Sequence, residues 1–160
     1  MALSRTCVAW MLVVILGCSS TTEPRVARLQ LVDGAGGSLN TGSLQLTAFS
    51  MQAANSIDIT FTLKNVGATD TSLALSPCPP QVRLYTAASG GTRAYPTDAG
   101  AACVAMAMFV TLKPGEERAQ QVTLVADAVA STLSPNRYYM RLAPSYVVGV
   151  ELSAGIVDRP

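Results

Sequence analysis

Apolar and polar residues alternate in short runs along most of the chain, and turn-forming residues separate the runs. The clearest run is residues 56–66, in which Ile57, Ile59, Phe61 and Leu63 fall on one face and polar residues on the other. A period of two over this length is typical of an antiparallel strand with one buried face. Less regular runs predict further strands at residues 28–32, 44–49, 71–76, 82–86, 103–112, 119–125, 138–142 and 147–152.

Turn-forming residues mark where several predicted strands end. Lys113-Pro114-Gly115-Glu116 suits a type II turn, because glycine readily takes the positive φ that this turn needs. The extended segments on either side of it, 103–112 and 119–125, are therefore expected to form a hairpin. The chain is expected to cross over at residues 127–133 in one helical turn, with Asp127 as its cap.

The spacing of these segments predicts the fold class. About eight or nine strands with a turn every eight to twelve residues are typical of an antiparallel β-sandwich. We therefore expect an all-β fold, a sandwich of about 7–9 strands. Only 13% of the residues are charged and aliphatic residues are plentiful, so the chain can bury a core. One domain over residues 28–160 accounts for most of the sequence.

The N-terminal residues have the organisation of an export signal. A short segment with the single cation Arg5 precedes an apolar run at residues 7–16, and a small residue separates that run from Cys18. A bilayer-spanning helix needs about 20 apolar residues, so residues 1–17 are predicted to be a cleaved signal peptide. The alternative, a short buried helix, is disfavoured by the polar residues that follow, and residues 18–27 are predicted to be a flexible tether.

Ile15-Leu16-Gly17-Cys18 resembles the lipobox of bacterial lipoproteins. The resemblance implies that Cys18 begins the mature chain and carries a diacylglycerol thioether and an amide-linked acyl chain such as palmitate. Several acyl chains anchor a protein far more firmly than one chain, which binds membranes only marginally. By the same analogy, Ser19 directs the protein to the periplasmic face of the outer membrane rather than to the inner membrane. A lipid-anchored protein of the cell envelope is the resulting prediction.

Cysteine usage agrees with export. Cys7 would be lost with the signal peptide and Cys18 would be lipidated, which leaves Cys78 and Cys103. Two remaining cysteines in an exported chain most simply form a disulfide bond. The bond would close a loop of about 25 residues and stabilise the fold by about 3 kcal/mol in the chain-entropy model. A redox or metal site is the alternative, which the long spacing and the lack of histidine disfavour.

Charge and residue types argue against several classes of function. Eleven cations against ten anions leave the chain nearly neutral, so no basic field for nucleic acid is expected. The sequence has no histidine, the usual base of serine and cysteine catalytic arrangements. Its carboxylates lack the spacing of a calcium loop, and its glycines lack the context of a phosphate-binding loop. We therefore expect a protein that is not an enzyme and has no cofactor or metal.

Three motifs carry a second resemblance: Leu63-Lys64-Asn65-Val66-Gly67, Leu112-Lys113-Pro114-Gly115-Glu116 and Leu133-Ser134-Pro135-Asn136-Arg137-Tyr138. Their order and spacing resemble those of the immunoglobulin-like family of the Bacillus intracellular proteinase inhibitor, over about residues 43–152. The resemblance implies an immunoglobulin-like sandwich in which Tyr138 forms a tyrosine corner, with a buried ring and a hydroxyl bonded to a backbone carbonyl. Asn65, Gly67 and Asn136 are expected at positions that favour positive φ.

Candidate contact residues follow from the same patterns. Tyr139 and Arg141 should face outward on the strand at 138–142, and such residues are enriched at protein interfaces. Tyr95 lies in segment 87–102, which has no apolar period and is predicted to be a long loop pinned by the disulfide. Ordinary strand surface is the alternative explanation for the tyrosine–arginine pair. We predict a lipid-anchored module that binds an unidentified envelope protein through this loop; the alternative function is a protease-inhibitor-like module acting through an exposed loop.

Overall fold

The computed structural model describes residues 28–75, 79–97, 108–144 and 150–160. The signal peptide, the tether and Cys7, Cys18, Cys78 and Cys103 lie outside these residues, so the predictions about them stay predictions. The described chain contains one short helix, α1 (Ala126–Ala130), and the following strands. They are β1 (Gln30–Asp33), β2 (Ser38–Thr41), β3 (Leu44–Gln52), β4 (Ser56–Asn65), β5 (Thr71–Leu75), β6 (Gln81–Tyr85), β7 (Arg93–Tyr95), β8 (Met108–Leu112), β9 (Glu117–Val125), β10 (Asn136–Ala143) and β11 (Leu152–Arg159).

The strands pair antiparallel in three groups. One sheet has five strands in the order β1-β11-β10-β6-β7, a second has four in the order β2-β3-β4-β9, and β5 pairs with β8 alone. The all-β prediction is confirmed. The predicted number of about 7–9 strands is wrong, because the described residues already hold eleven. Short β2 and β7 lie in stretches whose small and polar residues hide any alternation.

The two larger sheets contribute their inner faces to one hydrophobic core. The prediction for β4 is confirmed, since Ile57, Ile59, Phe61 and Leu63 are at most 1% exposed. Side chains of the five-stranded sheet complete the core, among them Leu84, Met140, Leu142 and Val157. Each buried side chain of this size stabilises the fold by about 1.5–3 kcal/mol, so the sandwiched apolar faces are the main source of stability.

β4 and β5 are separated by a bend at residues 66–70 and pair with β9 and β8 respectively. Lys64 lies opposite Glu117, and after the bend Thr71 lies opposite Leu112. The predicted hairpin of β8 and β9 is therefore wrong, because these strands continue in one direction and pair with β5 and β4 respectively. The predicted Pro-Gly turn does exist: Gly115 has a φ of 77° and the Glu116 amide donates to the carbonyl of Lys113. It joins β8 to β9 without pairing them, and its Gly115 amide donates to the carbonyl of Asn65 at the bend between β4 and β5.

Asn65 stabilises this bend from the inside. Its side chain is fully buried, donates to the carbonyls of Thr69 and Leu112, and accepts from the amide of Gly67. The expectation of positive φ at Asn65, Gly67 and Asn136 is wrong, because among the described residues only other glycines take positive φ. Gly67 is required for space instead: a Cβ there would lie 2.7 Å from the Cβ of Ser43.

Three further expectations need correction. Asp127 does not cap α1, whose N-cap is Val125; it forms an ion pair with Arg28 at 2.9 Å. The segment 87–102 is not wholly a loop, since β7 pairs with β6 within its described part. The closing strand is Leu152–Arg159 rather than 147–152, of which 147–149 lie outside the described residues. A bulge beside Gly155 puts consecutive residues of β11 against the core and breaks the period of two on which the prediction relied.

Candidate functional site

The outer face of the five-stranded sheet carries two arginines and two tyrosines on neighbouring strands. Arg83 of β6 lies directly opposite Arg141 of β10, and Tyr85 lies opposite Tyr139. The residues between them in sequence, such as Leu84, are buried in the core. Because successive side chains of a strand point to opposite faces, these four side chains project together from the outer face. We call these four residues and Glu151 the arginine–tyrosine cluster.

Glu151, which directly precedes β11, connects the other members of the cluster. Its Oε1 accepts from Arg83 Nη1 at 2.5 Å and from the Tyr85 hydroxyl at 2.8 Å. Its Oε2 lies 3.3 Å from Arg141 Nη1. The three charged side chains are 19–29% exposed, so the ion pairs are partly shielded from water. One carboxylate thus holds two guanidinium groups that would otherwise repel each other across the strand pair.

Arg141 is also fixed from two other directions. Its Nη2 donates to the carbonyl of Ala88 at 2.6 Å, in the chain between β6 and β7. Its Cζ lies 4.7 Å from the centroid of the Tyr85 ring, a cation–π contact worth about 0.5–1 kcal/mol at an exposed site. Arg83 is held in a similar way by Gln81, whose Oε1 accepts from its Nη2 at 3.0 Å. The cluster therefore presents side chains in defined positions.

The same contacts shift the pKa values of the cluster. Burial tends to raise the pKa of Glu151, but the hydrogen bonds from Tyr85, Arg83 and Arg141 outweigh it and lower that pKa below its ordinary value. Burial, followed by the hydrogen bond to Glu151, raises the pKa of the Tyr85 phenol. The hydrogen bond to Glu151 raises the pKa of Arg83. At neutral pH the Glu151 carboxylate is therefore charged and the Tyr85 phenol is neutral, and guanidinium groups are not deprotonated in proteins.

The predicted contact residues fall on two faces of the sheet. Tyr139 and Arg141 project outward as the alternation predicted, and both are partly exposed. Tyr95 lies opposite core residue Leu84 and packs against the core. It lines a cavity of about 260 Å³ with Val82, Pro96 and Val122, between β7 and β9 at the edges of the two sheets. The structure therefore brings Tyr139 and Arg141 together and leaves Tyr95 apart from them.

Sequence reasoning missed three members of the cluster. Arg83 and Tyr85 could have been found, because they alternate with Val82 and Leu84 in a run that was correctly predicted as a strand. Their cross-strand pairing with Arg141 and Tyr139 could not, since nothing local indicates that β6 and β10 are neighbours. Glu151 had no signal at all, because it lies just outside a strand whose position was predicted wrongly.

Two comparisons with known proteins found no relative of this chain. No family model matches the chain, and no curated protein matches it either. The resemblance to the proteinase-inhibitor family therefore stays a prediction. Within the described ranges, no helix combines the length and the hydropathy that crossing a membrane requires. The same ranges contain no group of three histidine, cysteine or acidic residues that could hold a metal ion.

The chemistry of the cluster is suited to recognition. The carboxylate of Glu151 is engaged by three donors, and each arginine is held in at least two places. Such groups offer fixed hydrogen-bond donors, two aromatic rings and a positive charge to whatever lies on the sheet. Groups of these types are suited to hydrogen bonding and packing with planar or charged groups.

Proposed function

We propose that this protein is a lipid-anchored, non-enzymatic module of the cell envelope that binds a protein partner. The binding surface is the outer face of the five-stranded sheet, centred on the arginine–tyrosine cluster. This surface replaces the loop at 87–102 that the sequence first suggested. Tyrosine and arginine are the residue types enriched at protein interfaces, whereas lysine is depleted there. Both lysines of the chain lie elsewhere, Lys64 on β4 and Lys113 in the turn before β9.

One observation carries the proposal: within the cluster, Arg83, Tyr85, Arg141 and Glu151 already hold one another by hydrogen bonds and a cation–π contact. Arg141 is held by Glu151, by Ala88 and by the ring of Tyr85. Ordering a long side chain on binding costs about 0.5–1.5 kcal/mol, so groups that the fold holds in place bind a partner at a lower entropic cost. A surface that contacts only water gains nothing from arginine side chains held in fixed positions.

The lipid anchor is supported by the sequence before Arg28 and by where Arg28 lies. Arg28 contacts Asp127 and the carbonyl of Ala54, at the end of the sandwich where β3 turns into β4. The ten residues of the predicted tether, 18–27, span at most about 36 Å. Such a tether keeps the sandwich near the membrane and leaves the sheet face free to meet a partner. An immunoglobulin-like scaffold is supported by the sheets that share a core and by the buried, hydrogen-bonded Tyr138.

Site-specific photo-cross-linking of the full chain in intact cells tests the proposal. Benzoylphenylalanine replaces Ser153, an exposed residue opposite Arg141 on the outer face, so no member of the cluster is altered. The matched control is Gln121, an exposed residue of β9 on the other sheet. We expect a defined protein adduct from position 153 and a much weaker one from 121. Equal adducts from both positions, or none from 153, would contradict the proposal.

Two measurements on the same samples complete the test. Mass spectrometry of the purified protein should find acyl chains on Cys18, and Cys18→Ser should release the protein from the membrane fraction. An unmodified Cys18 would show that the protein is not lipid-anchored through this residue, and the anchor would no longer be part of the proposed function. The captured protein distinguishes the alternative function: a protease that the purified full chain inhibits would favour an inhibitor-like module.

A further inference from the structure

We infer that the partner binds this surface through a carboxylate that pairs with Arg141, so that its contacting segment is rich in aspartate or glutamate. The inference rests on the proposed function and specifies the chemistry of the partner. Its first support is the charge of the cluster, in which two guanidinium groups share the single carboxylate of Glu151. One positive charge within the cluster is left without a counter-charge. A partner that supplies a negative charge there would be favoured over a neutral or basic one.

The unbalanced charge is located mainly at Arg141. Oε1 of Glu151 takes a short contact from Arg83, whereas the contact from Arg141 to Oε2 is 3.3 Å, longer than the about 2.7–2.9 Å usual for such charged hydrogen bonds. The guanidinium group has five N–H donors, and the described residues use two, one to Glu151 and one to Ala88. The other N–H groups can receive a carboxylate, and the side chain is 29% exposed.

The character of the surface favours a protein segment over an anionic membrane. Membrane binding through anionic headgroups uses clusters of about 4–8 basic residues. Arg93, opposite Tyr85, and Arg137 of β10 also lie near the cluster, but Arg137 is paired with Asp158 and Arg83 with Glu151, so the arginines here do not form a run of unneutralised charge. Guanidinium groups in fixed orientations match the planar geometry of a side-chain carboxylate. The rings of Tyr85 and Tyr139 lie beside them and offer apolar contact area to the rest of a peptide segment. An acidic segment with intervening apolar residues fits this combination.

The cross-linker at position 153 also tests this inference, in two charge variants of the full chain. Arg141→Gln should lower the yield of the adduct by about tenfold or more, because it removes a directly paired charge. Arg118→Gln makes the same change in net charge on β9 of the other sheet and should alter the yield by less than about twofold. Arg141→Lys keeps the charge but loses the planar fork, and we expect an intermediate yield. Melting temperatures of all variants establish that each one is folded.

The adduct itself identifies the source of the charge. Sequencing of the cross-linked peptide should find aspartate or glutamate within a few residues of the attachment point. The inference is overturned if Arg141→Gln and Arg118→Gln lower the yield equally, if the cross-linked peptide lacks acidic residues, or if the adduct is a lipid. In the first two cases a specific adduct at position 153 would still support the proposed function. Absence of any adduct in the parent protein would instead count against the proposed function.

Discussion

Tyr138 donates its phenolic hydrogen to the carbonyl oxygen of Ser134, 2.7 Å away, from a ring that is only 3% exposed. The tyrosine corner that the sequence predicted is therefore present as a contact. This hydrogen bond links β10 to the segment just before it, which contains Ser134. Removing the hydroxyl would leave the Ser134 carbonyl without this donor. We predict that Tyr138→Phe lowers the free energy of unfolding by about 1–2 kcal/mol, measured by urea denaturation.

The neighbouring tyrosine provides the control for that prediction. Tyr139→Phe removes the same atom from the outer face of the same strand, where the ring is partly exposed. A surface change of this kind should alter stability by less than about 0.5 kcal/mol. Equal losses for the two variants would mean that the hydrogen bond to Ser134 contributes nothing specific.

Asn65 should be among the polar residues most sensitive to substitution. Its buried side chain holds the bend through Thr69, Gly67 and Leu112. Asn65→Ala would leave these three backbone groups without the partners they now have. We expect a loss of about 3 kcal/mol in the free energy of unfolding.

Asn40→Ala is the matched control for the Asn65 variant, because Asn40 lies exposed on β2. Its thermal midpoint should stay close to that of the parent protein, whereas Asn65→Ala should unfold many degrees lower. If the two midpoints were similar, the bend would not depend on the Asn65 side chain.

The lowered pKa of Glu151 predicts a defined pH dependence. A carboxyl whose pKa is lower in the folded than in the unfolded state stabilises the fold above its unfolded pKa, about 4.3, and this contribution is lost as the pH falls through the folded pKa. The parent protein should therefore lose stability below about pH 4.3. Glu151→Gln should be less stable by about 1–2 kcal/mol at pH 7, and the difference should shrink toward acid pH. A difference that stays constant from pH 7 to pH 3 would contradict this account.

Leu75 and Met108 are the last partners in the pairing of β5 and β8, which bears on the predicted disulfide. Cys78 follows Leu75 by three residues, and Cys103 precedes Met108 by five residues. At about 3.3 Å per residue, both cysteines can reach a common position. We predict that the purified protein has no free thiol at either cysteine, as measured by alkylation and mass spectrometry without reductant.

Stability provides an independent test of the disulfide. Replacing both cysteines with serine should lower the free energy of unfolding by about 3 kcal/mol. Reduction of the parent protein should have a similar effect and should leave the double variant unchanged. Complete alkylation of the unreduced protein would show that the disulfide is absent.

The sequence predicted the elements with regular alternation well and missed those without it. β4 and β10 were identified with the correct buried faces, because Ile57 and Met140 belong to uninterrupted periods of two. β11 was missed because a bulge beside Gly155 interrupts its period. β7 was missed because three residues are too few to show any period. Local patterns thus revealed which faces are buried wherever the strand was long and regular.

Only two of the five residues of the candidate site were predicted, for a different reason. Tyr139 and Arg141 were found from the alternation within one strand. The other three depend on which strands are neighbours, and β6 and β10 are separated by about fifty residues of chain. Glu151 joins them by contacts of long range in sequence, with Arg83 and Tyr85 both more than sixty residues away. No local pattern encodes a neighbour at that separation.

The position of Arg28 has a mechanical consequence for an anchored protein. The chain enters β1 at Gln30, two residues after Arg28, and β1 pairs antiparallel with β11 along the edge of the five-stranded sheet. A pull on the preceding residues that is directed along β1 would load the hydrogen bonds to β11 in shear instead of opening them one by one. The contacts of Arg28 with Asp127 and Ala54 would take up the first part of that force. Under the proposed function, these contacts would resist a pull between the anchor and a partner bound on the face of β6 and β10.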